Sequence, residues 1–106
     1  MDWIYLSEYP QKIFSRGAVF RTSARWPYEE KVDFMLMESK DSSSGFALWV
    51  SSGYKAGLPL IQLPEESLDG ETRAISRAWI YENWNKWVYQ DSSPDQVLVT
   101  ENYKIE

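Results

Sequence analysis

The sequence predicts an α+β fold, a small antiparallel sheet of about four to five strands with one main helix in the C-terminal half packed on one face. Three observations carry this expectation. Residues 31–38 and 45–51 are apolar-rich runs on either side of the polar segment 39–44, whose Ser, Lys and Asp content suits a turn. Residues 75–88 place Ile and Trp at helical spacing. Residues 96–100 form a last short apolar run with strand composition.

Taken in order, Ile13 and Phe14, then residues 18–22 behind Gly17, read as early extended segments. Residues 21–28 read as loop, because the residue before Pro27 avoids the helical region. In the predicted hairpin, Val32, Phe34 and Leu36 share one face with Phe46, Leu48 and Val50. Met35, Met37 and Trp49 point the other way, so that second face is either covered by a helix or is a recognition surface. Residues 58–63 form a third strand, pushed to the sheet edge by Pro59, which lacks an N–H to donate, and stopped by Pro64. Asp69 is the expected N-cap of a helix over about residues 70–89, with Glu71 and Lys86 complementing the helix dipole. Ile80, Trp84, Trp87 and Val88 make its core stripe, while Ile75 and Trp79 form a second column at the shoulder of the buried face. Residues 101–106 are a tail or a continuation of the last strand.

Composition narrows the functional classes. A length of 106 residues with 43% hydrophobic and 25% charged side chains fits one packed domain, residues 1–106, without repeat or linker. Six Trp, seven Tyr and four Phe are a surplus, so some rings are expected outside the core, where they would serve an interface. The chain has no Cys and no His, which removes disulfides, thiolate nucleophiles and the usual zinc ligands. Carboxylate, Lys or Ser/Lys chemistry and an oxygen-only cation site remain conceivable, but none has a motif here. No catalytic residues, no metal, no cofactor and no enzymatic activity are therefore expected. A net charge of −5 argues against nucleic acid and favours a basic partner. Residues 1–14 lack an apolar run and a cleavage site, and no stretch suits a bilayer, so a cytoplasmic protein without membrane contact is expected.

Three features are candidate contacts, each with a plain structural alternative. Glu65, Glu66, Asp69 and Glu71 could steer a basic partner, or could be a solvated loop serving the helix N-terminus. The segment Gly53, Tyr54, Lys55, Ala56, Gly57 lacks P-loop spacing and reads as a tight connection with two glycines at positive φ. Tyr54 and Lys55 are nonetheless displayed by it. Trp84 and Trp87 read as core, whereas Trp79 could face either way.

The order Arg16-Gly17-x-Val19-Phe20-Arg21, then residues 48–58 (LWVSSGYKAGL), then Leu63-Pro64-Glu65-Glu66, then Ile75-Ser76 with Trp79 and Asn83-Trp84-x-x-Trp87-Val88-Tyr89, resembles the immunity proteins of bacterial polymorphic-toxin and contact-dependent inhibition systems. The family it resembles most is immunity protein 45. The resemblance implies an α+β domain that binds a cognate toxin domain and blocks it in the producing cell, without enzymatic activity. Many such toxins are nucleases with basic channels, which an acidic inhibitor complements. The partner-binding residues expected from the chemistry above are Glu65, Glu66, Asp69, Tyr54, Lys55 and Trp79, on a monomer or weak homodimer. Two other classes compete: a carbohydrate-binding module stacking sugars on exposed Trp and Tyr, and an acidic nucleic-acid mimic, for which 16 acids against 11 bases are dilute.

Overall fold

The computed structural model describes residues 3–103. The expected tail beyond Tyr103 lies outside the described residues. The fold is α+β, with a six-stranded antiparallel sheet that contains the predicted hairpin at its centre. β1 (Ile4–Tyr5), β2 (Ile13–Phe14), β3 (Val19–Ser23), β4 (Lys31–Glu38), β5 (Phe46–Val50), β6 (Pro59–Gln62), β7 (Ile75–Ser76) and β8 (Leu98–Thr100) are the strands. The large sheet runs β1-β8-β3-β4-β5-β6, and β2 pairs with β7 in a separate two-stranded ribbon. The sheet is one strand wider than expected because β1 adds to the edge of β8, with Ile4 opposite Val99.

Register divides the sheet as period two requires. Phe20 lies opposite Phe34 and Phe34 opposite Val50, and these side chains share the core with Val32, Leu36, Leu48 and Val99. Val19, Arg21, Asp33, Met35, Met37 and Trp49 alternate onto the other face. As Pro59 implied, β6 is an edge strand, and its pairing with β5 slips between Leu48 and Trp49.

The helix starts later than the sequence suggests. α1 spans Arg77–Asn83, and its N-cap is Ser76, whose Oγ accepts the Trp79 backbone N–H at 3.2 Å. Asp69 instead closes a local turn, accepting the backbone N–H groups of Glu71 and Thr72 at 3.2 and 3.0 Å. Two causes displace the start. Arg73 adopts φ 63°, which no right-handed helix tolerates, and Ile75 is recruited by Phe14 into β7, burying it completely. Ile75 is thus a strand residue rather than a second helical column. Ser76→Ala is accordingly expected to lower stability by about 1 kcal/mol, the usual value of an N-cap hydroxyl, read as a shift of the urea midpoint at unchanged slope.

After Asn83 the helix widens into a π-turn, Trp84–Val88, closed by Tyr89 N–H donating to the Trp84 carbonyl at 2.9 Å. Ile80, Trp84 and Val88 remain in the core, while Trp87 is only half-buried and packs on Trp79 at 5.7 Å between centroids. Much of the aromatic surplus is consumed inside. Tyr9, Phe14, Phe20, Trp84 and Phe34 form a chain of neighbouring rings 4.9–6.3 Å apart, which Tyr28 and Tyr89 extend.

Candidate functional site

The β3–β4 loop and the β5–β6 connection emerge at the same end of the sheet, and together they display the two most exposed rings among the described residues. Trp26 is 85% exposed and Tyr54 68% exposed, with Leu58 at 51% beside them in sequence order after the second loop. The Tyr54 hydroxyl donates to the Pro27 carbonyl, which ties the two loops to each other. Gly53 and Gly57 hold the second loop at φ 70° and 95°, as its composition implied. At Gly53 a Cβ would displace the Glu29 carboxylate, and the φ of 70° would strain any side chain placed there. Lys55 lies over the Tyr54 ring, 5.6 Å from its centroid.

Next to this end, the sheet face opposite α1 carries a charged cluster. Asp33 is almost fully buried, its side chain 3% exposed, and it accepts both Arg21 Nε at 2.7 Å and Nη2 at 2.9 Å. Two donors in fixed fork geometry match the carboxylate plane. The Tyr103 hydroxyl donates to Asp33 Oδ2 at 2.8 Å and sits 2.8 Å from Ser51 Oγ, while Ser52 Oγ accepts the Asp33 backbone N–H. The Arg21 guanidinium in turn lies over the Trp3 ring at 4.1 Å, so both ends of the described chain are fastened to the middle of this face. Farther along it, Met35, Met37 and Trp49 present a soft apolar strip beside the Arg16–Glu38 ion pair.

The acidic segment lies at the opposite end of β6. Glu65 and Glu66 open a short 3-10 turn, Glu65–Ser67, and Glu65 is 3.9 Å from Arg73. Asp69 is 3.8 Å from Lys12, which also bonds Glu71 at 3.0 Å. Hydrogen bonds from the Thr72 backbone N–H and hydroxyl hold the Asp69 carboxyl below its ordinary pKa. Of the expected contact acids, Glu66 alone has neither an ion pair nor a side-chain hydrogen bond among the described residues. No group of His, Cys, Asp or Glu among the described residues is placed to hold a metal, and no helix there is long and apolar enough to cross a membrane.

Residues 6–99 match the family described as Immunity protein 45. The chain belongs to that family. No significant match to a curated protein or to a solved structure was found. Family membership supports an immunity function and implies a toxin partner in general, and such families are generally not enzymatic.

On this immunity protein the six expected contact residues do not converge. Tyr54 and Lys55 stand at one end of β6 and Glu65, Glu66 and Asp69 at the other, while Trp79 is half-buried on α1 against Trp87. Two features escaped the sequence reading. Trp26 was visible there only as a loop residue before proline, and its sequence signal is a large ring outside any periodic segment. Asp33 interrupts an otherwise apolar strand, the signal of a charge that needs a partner, but the partner Arg21 is named only by the β3–β4 register.

Burial chiefly, with the Asp33 carboxylate adding to it, pushes the Tyr103 hydroxyl up to about 12 from an ordinary 10. Because the folded form holds its proton more tightly than the unfolded one, the contribution is complete below pH 10 and is lost as pH rises toward 12. Alkaline unfolding of the immunity protein should therefore be less steep in Tyr103→Phe than in the wild type over that window, in circular dichroism melts taken across it.

Proposed function

We propose that this immunity protein neutralises a cognate toxin domain of a polymorphic-toxin or contact-dependent inhibition system by direct binding, acting as one domain over residues 1–106 in the cytoplasm of the producing cell. Membership of the immunity protein 45 family over residues 6–99 is the observation that carries this reading. The net charge of −5 supports a basic partner, for which a nuclease with a positively charged substrate channel is the favoured class. Tyr54 and Lys55 serve as direct contacts at the looped end of the sheet. Glu65 and Glu66 act at a distance as steering charges, and Trp79 flanks them on α1. Asp69 adds to the field of that acidic segment, although its Oδ2 is engaged in its own turn and its Oδ1 lies 3.8 Å from Lys12.

The test is mixing with the toxin domain encoded beside the gene. A stable complex and loss of toxin activity are expected, with nuclease assays reporting the activity class, and absence of a complex would count decisively against the proposal. Within a complex, the double variant Glu65→Lys/Glu66→Lys should slow association about tenfold at low salt and leave a flatter salt dependence, since screened charges act mainly on the encounter rate. An unchanged on-rate removes both acids from the steering role. Size-exclusion chromatography should show a monomer or weak homodimer before the toxin is added.

A further inference from the structure

We infer that Trp26 is the principal anchor of the partner interface and that it inserts into an apolar recess on a folded protein partner; this rests on the toxin-binding reading above. Trp26 is the one tryptophan among the described residues left largely in water, whereas Trp84 is fully buried and Trp3, Trp49, Trp79 and Trp87 are half-buried or packed on other groups. An indole left in water is unfavourable to the free protein, and tryptophan is among the side chains that most often carry interface energy.

The loop that presents it is built, not loose. Ala24 N–H donates to the Glu30 carbonyl at 2.8 Å and Tyr28 N–H to the Arg25 carbonyl at 2.9 Å, so the β3–β4 loop is closed across its base and again at its tip. The Arg25 N–H donates to the Tyr89 hydroxyl at 3.2 Å, and Tyr28 stacks edge-on against both Phe34 and Tyr89, which roots the loop in the core. The Tyr54 hydroxyl holds its far side at Pro27. A loop backbone fixed in advance leaves only the rotamer of the ring to be ordered on docking, so more of its burial is available as affinity.

The shape and chemistry favour a protein recess over a sugar. Trp26 projects into solvent from the loop tip, and the hydroxyl proton of Tyr54, on the neighbouring loop, is already committed to the Pro27 carbonyl and is not free to read a sugar hydroxyl. A projecting apolar anchor is complementary to a concave apolar site.

The experiment compares wild type, Trp26→Ala and Trp26→Phe for binding to the toxin domain encoded beside the gene. Trp26→Ala is expected to raise Kd about 100-fold and Trp26→Phe less, with the thermal midpoints of both variants unchanged because the ring touches no core. The emission lost in Trp26→Phe should be quenched by acrylamide in the free protein and protected in the complex. A complex that forms with wild type and with Trp26→Ala within threefold overturns the anchor and leaves the toxin-binding reading standing. No complex with wild type overturns that reading and the anchor together. Titration with chitohexaose or cellohexaose that quenches the wild type but not Trp26→Phe overturns the protein recess in favour of a sugar platform.

Discussion

Trp84→Ala is expected to destabilise the protein by about 3–5 kcal/mol, the range for removing a large aromatic from a core that cannot collapse around the gap. Trp84 is fully buried, its ring lies 6.1 Å from Phe20 and 6.3 Å from Phe34, and its Nε1–H donates to Ser92 Oγ at 3.0 Å. The substitution thus opens a cavity between the π-turn and the sheet and removes the donor to Ser92 Oγ. Against the 5–15 kcal/mol typical of a domain, this removes a large share of total stability. Urea titration followed by far-UV circular dichroism measures it, and a loss below about 1 kcal/mol would contradict the packing described. Trp26→Ala serves as the control, since it deletes the same side chain where nothing is packed and should leave the midpoint in place.

Asp33→Ala is expected to cost about 2–4 kcal/mol, placed below the full value for breaking a buried pair because the Arg21 side chain is 36% exposed and regains some water. The loss has three parts: Arg21 without its bidentate acceptor, the Tyr103 hydroxyl without one of its two partners, and the space left by the carboxylate. The cycle Asp33→Ala with Tyr103→Phe isolates the share of the hydroxyl. A coupling energy near zero would mean that Tyr103 stabilises by coverage alone, whereas a sizeable one makes the carboxylate and the hydroxyl a unit. Replacing Arg21 and Asp33 together by apolar residues of similar volume should recover part of the loss, because the cost of desolvating the pair disappears with it.

The central hairpin was legible because Val32, Phe34 and Leu36 and then Phe46, Leu48 and Val50 alternate without interruption, and a pattern of period two has one reading once a face is buried. β6 was legible because Pro59 cannot donate to a neighbour on both sides. The helix was legible in its second half only. Residues 69–76 carry two acids and a polar turn that mimic a helix N-terminus, and they are held out of it by the left-handed Arg73 and by the pairing of Ile75 with Phe14, 61 residues earlier in sequence. β1 was not legible at all, since two residues against β8 are too few to produce a period.

The candidate site follows the same division. Composition and local pattern alone determined the acidic balance, the lack of Cys and His, the α+β class and the glycine-held loop that displays Tyr54 and Lys55, because each depends on residue chemistry or on neighbours a few positions apart. Tertiary structure decided which rings stay in water, that Arg21 and Asp33 meet, and that Tyr54 and Glu66 stand at opposite ends of β6. Those outcomes depend on strand order and register, which set contacts between residues far apart in the chain through burial shared by whole elements.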